Sequence, residues 1–299
     1  MADLRIVSLR VGRPKTYVIP GAEDPAHEVF TSAIGKEPVA GPVWLDRHGL
    51  AGDEVADHRA HGGPEQAVLA YAASHYPRWC AEWGRAEVPI GSFGENLTVA
   101  GADEESVCLG DQWAIGDALL EVSKPRSPCN RVAWHNRRDD LMRRIRATGR
   151  SGWYLRVLTP GALEVGAPVV LAARSHPELT VRRAAAAMAN REREPREAIV
   201  LLNCPALAAD WRYRLAKEGF RRDRLAEHPS PSAPRTGDRS MQLVLDDRET
   251  VTLRELLEAY LPELQREIAR TEQHDLRHVL VRRQELGERL LDQLQRGPA

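Results

Sequence analysis

Apolar and polar residues alternate in short runs along the first half of the chain, and glycine or proline ends almost every run. Leu4–Val11 sets the pattern, with Leu4 and Ile6 alternating with polar residues and Leu9 following before Gly12-Arg13-Pro14 stops it. Val43–Leu45, Gln66–Tyr71, Val107–Leu109, Ala118–Val122, Trp153–Leu158 and Leu163–Leu171 read as further strands. A Gly116-Asp117 turn joins Val107–Leu109 and Asp111–Trp113 to Ala118–Val122 as a strand pair, Pro160-Gly161 separates two more, and residues 20–28 are loop-like. Short, broken strands of this kind predict a barrel with helices inserted. The inserted helices are a stripe of Tyr76, Trp79, Cys80 and Trp83 behind Ser74, and Arg138–Ala147 ended by Gly149.

After His176-Pro177 the period changes from strand to helix. Thr180 can cap a helix through Ala189, Pro195 can open a second over Glu197–Leu202, and Ala206–Lys217 makes a third, stopped by Gly219. Residues 228–240 are a linker by composition. Beyond it, Leu253, Leu256, Leu257, Tyr260, Leu261 and Leu264 form one apolar helical face, and Leu276, Val279, Leu280, Leu286, Leu290, Leu291 and Leu294 another. The expected organisation is a barrel domain over 1–175, a three-helix appendage over 176–227, the linker, and a helical tail over 241–299.

Composition narrows the function classes. The formal net charge is −1, which gives no basic footprint for nucleic acid. No apolar run approaches a membrane span, and the N-terminus lacks a signal-peptide core. Cys80, Cys108, Cys129 and Cys204 form no CxxC pair and no zinc spacing, so free thiols in a reducing cytoplasm are expected. Lysine occurs only at Lys15, Lys36, Lys124 and Lys217 in an arginine-rich chain, so each retained lysine carries some weight.

The chemistry concentrates in Glu121–His135, EVSKPRSPCNRVAWH. Pro125 and Pro128 hold Lys124 and Ser127 extended, and place Cys129 on a stiff loop between Arg126 and Arg131. Cations favour thiolate, the form that attacks and that binds metal; a small inert core cysteine is the alternative. Gly62-Gly63 lets the backbone approach a ligand closely, and His61 beside it can donate to an oxyanion. An ordinary glycine turn with an exposed histidine fits the same residues. Asn96, in Ser92–Leu97, offers both a donor and an acceptor, or simply caps its turn.

The strings TSAIGK, GLAGDE, AHGGPEQAV, SFGENLTV, VCLGDQW, LEVSKPRSPCNRV and WYLRVL occur in that order. In this the chain resembles the MOSC-domain family (molybdenum-cofactor sulfurase C-terminal type) in its YiiM-like branch, over roughly residues 1–225. The resemblance implies a mainly β fold with helices: a closed, strand-rich barrel followed by a small three-helix unit. It implies a molybdenum cofactor, a molybdopterin carrying Mo, with Cys129 as the protein's sulfur ligand; a soft thiolate suits such a centre. Matching motifs carry over Thr31, Ser32 and Lys36 to phosphate or substrate, His61 with Gly62 and Gly63 near the metal, and Asn96 and Arg126 to the cofactor. Two residues depart from the pattern. Gly35 stands where relatives often have an aromatic, which is expected to reshape the pocket, and Ala60 where they have a bulkier residue.

The resemblance also implies a reaction. Relatives reduce N-hydroxylated small molecules, such as 6-hydroxylaminopurine, to amines. Here Cys129 would ligate the metal and His61 would deliver protons, since imidazole titrates near neutral pH. GLAGDE lacks the dinucleotide spacing, so electrons are expected from a separate reductase. A sulfur carrier or a cofactor-storage module, each using Cys129, is the alternative. The tail lies outside the family pattern. Its leucines are expected to bury against the appendage, a partner such as the reductase, or the same tail in a homodimer.

Overall fold

The computed structural model describes residues 4–19, 28–58 and 61–226, and a subset of positions between 250 and 294. The linker at 228–240, Ala60, most of the loop at 20–28, and Leu253, Leu256, Tyr260, Leu264, Leu276, Val279 and Leu280 lie outside the described residues. The chain forms two compact units, Met1–His228 and Pro229–Ala299.

In the first unit the strands are β1 (Arg5–Val11), β2 (Lys15–Val18), β3 (Val29–Ser32), β4 (Glu37–Pro38), β5 (Val43–Asp46), β6 (Gly49–Leu50) and β7 (Val68–Ala72). Helix α1 (His75–Trp83) leads to β8 (Leu97–Ala100), β9 (Gln112–Ile115) and β10 (Ala118–Pro125). Helices α2 (Asn130–Asn136) and α3 (Leu141–Thr148) then precede β11 (Trp153–Thr159), β12 (Gly161–Leu163) and β13 (Val170–Ala173). The appendage is α4 (Val181–Ala189), α5 (Pro195–Leu202) and α6 (Ala209–Ala226). Among the described residues no helix is long and apolar enough to cross a membrane.

Eight strands make one curled sheet in the order β13-β9-β10-β11-β7-β8-β1-β4. The closed, mainly β barrel expected from sequence is instead an open half-barrel in a mixed α/β fold. β1 meets the segment before β13 only through Arg5–Pro168 and a few backbone bonds, such as Val169 N–H to Leu4 O at 2.8 Å. Gly166, at φ 86°, turns the chain there, and Pro168 has no N–H to extend a ladder. The ladder to β9 therefore starts only at Val170.

Two apolar clusters hold this frame. One gathers around Ile6, Leu9, Leu97, Leu120, Leu155, and Trp113 packed edge-on against Trp153. Burying each such side chain contributes roughly 1.5–3 kcal/mol. It extends without a break into Val181, Ala184, Leu201, Leu207, Trp211 and Leu215, so the appendage shares the sheet's core. The second cluster packs α1, α2 and α3 around Phe93, which stacks on Tyr71 at 4.5 Å.

Local signals predict several element ends. Thr180 caps α4 by accepting from Arg183 N–H at 3.1 Å, and Gly149 ends α3 in the left-handed region. Gly219 does not end α6, which runs on to Ala226. A glycine inside a helix costs only about 1 kcal/mol and stops it only when the chain turns there. Helix α2, directly after Cys129, is absent from the sequence reading; seven residues carry too little periodicity to reveal it.

The described tail residues are helical in two segments. Leu261 and Leu257 face Gly287, where an added Cβ would lie 2.9 Å from Leu261 Cδ2. Arg254 Nη2 donates to Leu294 O at 3.1 Å, so the segments pass antiparallel. Leu286, assigned from sequence to the apolar face, is half exposed, because Gly287 rather than Leu286 points at the partner helix.

Candidate functional site

A cavity of about 420 Å³ opens where the β10–α2 loop, the His61–Gln66 turn, the Ser32–Lys36 segment and the Gly94–Asn96 turn converge. Its lining includes Ser32, Lys36, His61, Gly62, Gly63, Asn96, Arg126 and Cys129 from the sequence-predicted set. Thr31 is the member left out. Adjacent strand residues face opposite ways, so Ser32 is buried toward the cavity while Thr31 is exposed in the β2–β3 pair.

Cys129 sits in extended conformation at φ −96° and ψ 163°, where β10 ends and α2 begins. Burial pushes its thiol up. A hydrogen bond with His61, the Arg126 charge and the Arg131 backbone N–H outweigh that and bring it down to about 7. Burial also raises Cys108 and Cys204, so those thiols stay protonated. The cavity thiol is thus poised to lose its proton near neutrality, unlike those of Cys108 and Cys204.

His61 is held by its own N–H, which donates to Asp57 O at 2.9 Å. Gly62 and Gly63 follow at φ 77° and 87°, a region closed to ordinary side chains. A Cβ on Gly63 would meet nothing within 4 Å, so its backbone borders open cavity space.

Arg126 is buried. Its backbone N–H is anchored on Gly152 O at 3.0 Å, and its guanidinium hydrogen-bonds the Tyr154 hydroxyl. Its Nη1 has no partner within the protein. A buried, unpaired guanidinium nitrogen beside a cavity is costly unless an anion or another acceptor meets it.

Asp53 is the residue that sequence reasoning missed. One carboxylate oxygen accepts from Gly12 N–H at 2.7 Å and pairs with Lys36 Nζ; the other accepts from Asn96 Nδ2 at 2.9 Å. Burial pushes the Lys36 ammonium down, and Asp53 pulls it part of the way back. Asn96 spends the rest of its amide on the frame, donating to Arg10 O at 3.2 Å and accepting from Leu69 N–H at 3.1 Å. It lines the cavity but works as a strut that orients Asp53.

Gly35 behaves differently from the sequence expectation. The space its side chain would enter is already taken by the Tyr17 hydroxyl, which accepts from Gly35 N–H at 3.1 Å. Tyr17 is pinned by stacking on Phe30 at 5.1 Å and by the edge of His135 at 5.7 Å. A neighbouring hairpin thus supplies the aromatic that position 35 lacks.

Among the described residues no group of three or more His, Cys, Asp and Glu side chains could hold a metal ion. A metal bound at Cys129 must therefore bring further ligands with it, as one carried on a dithiolene does. The unpaired Arg126 nitrogen, the low thiol and the open approach at Gly63 fit such an anionic, sulfur-ligated group.

Comparison with known proteins places the chain among relatives of one family. The MOSC domain model matches residues 57–170, which span His61, Asn96, Arg126 and Cys129. The uncharacterized protein YflK of Bacillus subtilis (strain 168) is 34% identical over 220 residues, 74% of this chain and 95% of its own. YiiM of Escherichia coli (strain K12) is 36% identical over 188 residues, 62% of this chain and 84% of its own. A protein named reductase from Gibberella moniliformis is 38% identical over 184 residues, but they make up only 30% of that protein. The crystal structure of YiiM from Geobacillus stearothermophilus superposes with a TM-score of 0.59 at 35% identity, covering 72% of this chain and 98% of that one.

Proposed function

The chain belongs to the YiiM-like MOSC-domain family, and from that premise we propose that it is a molybdenum-cofactor-dependent reductase of N-hydroxylated small molecules, taking hydroxylamino bases or amidoximes to amines. The observation that carries this reading is the pairing of Cys129, a thiol near 7 hydrogen-bonded to His61, with the unsatisfied Arg126 guanidinium in one cavity. The reductase name of the fungal relative supports an oxidoreductase more broadly.

When bound, the cofactor would supply the two-electron chemistry. The chain's own residues do the rest. Cys129 supplies one soft thiolate ligand, and Arg126 with Lys36 holds an anionic group such as a pterin phosphate. His61 is hydrogen-bonded to Cys129, so its imidazole stands where it could donate a proton to a leaving oxygen placed beside the thiolate. The glycine pair lets the substrate come close to the backbone without a side chain in the way. A separate, cytoplasmic reductase would deliver electrons.

Molybdenum content tests the reading. Wild type and Cys129→Ser are made in the same cofactor-competent host and compared by elemental analysis. Wild type is expected to carry molybdenum and the variant to lose most of it, whereas Cys80→Ser keeps it. Equal metal in Cys129→Ser and wild type removes Cys129 as the ligand. Labile sulfur without molybdenum in wild type would favour the sulfur-carrier alternative. A loaded protein that turns over no N-hydroxylated compound with a chemical reductant would favour cofactor storage.

A further inference from the structure

Lys124 lies two residues before Arg126 and is almost wholly buried, at 4% exposure. Its ammonium pairs with Asp210 Oδ2 at 2.7 Å, in the first turn of α6, and sits 5.7 Å from the Tyr154 ring centre. Tyr154 is its cross-strand partner, lines the cavity and hydrogen-bonds Arg126. The neighbouring residue, Ser123, accepts Ala208 N–H at 3.0 Å on its carbonyl, and its hydroxyl donates to Glu65 O at 2.7 Å. Arg156 repeats the link: Nη2 donates to Ala206 O at 2.6 Å and pairs with Glu65 Oε2 at 2.9 Å. Glu65 belongs to the His61–Gln66 turn. One short stretch of the appendage, Ala206–Asp210, is thus tied to both loops that carry the cavity's chemistry.

We propose that this stretch clamps the cavity: Asp210 through Lys124, and the Ala206 carbonyl through Arg156, hold the Arg126–Cys129 loop and the His61–Gln66 turn in fixed register. Asp210 is the positioning residue. An appendage that merely covered the sheet would need only the apolar contacts of Leu207, Trp211 and Leu215. Instead it adds an ion pair from the exposed Asp210 to the buried Lys124 ammonium and a half-buried guanidinium contact from Arg156, each next to a loop that lines the cavity. A buried ammonium is costly to leave unpaired, so the position of Asp210 dictates that of Lys124 and of the strand end that carries Arg126. The functional weight of the clamp rests on the cofactor reading of the cavity; its geometry does not.

The test uses the full, metal-free chain as wild type, Asp210→Asn and Asp210→Glu. Amide hydrogen exchange is followed by mass spectrometry over 61–66 and 126–130, with β5 and β12 as internal controls. Asp210→Asn is expected to exchange about tenfold faster in both loops, because local opening there becomes easier. The controls should hold still, and Asp210→Glu should restore most of the protection. Unchanged loops, faster exchange confined to α6, or uniformly faster exchange would each overturn the clamp. If Asp210→Asn does not fold, the double variant Lys124→Met/Asp210→Asn, which strands no buried charge, is read by the same criteria. Inorganic phosphate, titrated into the same proteins by calorimetry, keeps the two readings apart. Phosphate bound by wild type and about tenfold more weakly by Asp210→Asn supports both. A wild type that binds no phosphate counts against Arg126 as an anion site, while loop exchange still decides the clamp.

Discussion

Cys129 has its acidity set by three groups that reach it from different directions. His61 comes from the glycine turn, Arg126 from the end of β10, and the Arg131 N–H from the first turn of α2. Burial alone would raise the thiol, so its value near 7 depends on those partners. The sign gives a prediction. In metal-free protein, alkylation of Cys129 by iodoacetamide should rise with pH around a midpoint near 7 and fall off below it as the thiolate is protonated. His61→Ala removes the largest lowering influence and should move that midpoint upward; an unmoved midpoint would show that His61 does not act on the thiol. In loaded protein the same variant should keep its molybdenum and turn over more slowly, by about 10²–10⁴-fold if His61 is the proton donor. Loss of the metal instead would make His61 an anchor. Cys129, His61 and Arg126 were named from the sequence through the family resemblance of their motifs, since local chemistry alone left an inert cysteine and an ordinary glycine turn open, and the structure brings all three to one cavity. Asp53 was not. It matters because Gly12, Lys36 and Asn96, distant in sequence, meet on one carboxylate, and no spacing along the chain foretells that. The same convergence reassigns Asn96, whose amide is consumed by Asp53, Arg10 and Leu69. A side chain with free hydrogen-bonding groups and one with none left read identically in sequence.

Most strands and the ends at Thr180 and Gly149 followed from period and punctuation; a stop at Gly219, a side-chain cap from Ser74, a strand at Val107–Leu109, which is only an isolated bridge from Cys108 to Thr180, and sheet closure did not. The alternation in Leu4–Val11 says which face of β1 is buried, but not that Pro168 would stop its would-be neighbour from completing the barrel. The Gly35 segment shows how an element can compensate for a residue elsewhere. Glycine there removes a side chain, and the β2–β3 hairpin returns one, because Tyr17 reaches across to the vacated space. Gly35→Ala is therefore expected to destabilise the protein by about 1–3 kcal/mol, the usual cost of overpacking a filled site, measured by urea unfolding. Tyr17→Ala in the same chain should relieve part of that cost, giving a coupling of about 0.5–3 kcal/mol between the two changes. Additive losses would mean that Tyr17 does not occupy the position 35 space in solution.

At the scale of the whole molecule the chain divides after His228, and every cavity residue falls in the first unit, the last of them being Tyr154. The second unit partly satisfies its own leucines: Leu261 packs at Gly287, where the missing side chain lets two helical segments approach. It leaves Val251 and Leu286 about half exposed. Two packed helical segments, which are what the described residues of this unit form, have little interior of their own, and exposed apolar side chains on them are natural contacts for a second copy. The unit's leucine spacing announced helices, but a leucine stripe reads alike whether it meets its own chain or another. Truncation after Ser230 separates the roles. Molybdenum content and reductant-driven turnover should be unchanged, because Cys129, His61, Arg126 and the clamp at Asp210 all precede the cut. Light scattering should show the full chain as a homodimer and the truncated chain as a monomer. If both have the same mass, the tail is not the interface. If the mass is unchanged and only turnover driven by the physiological reductase falls, the tail docks that electron donor instead.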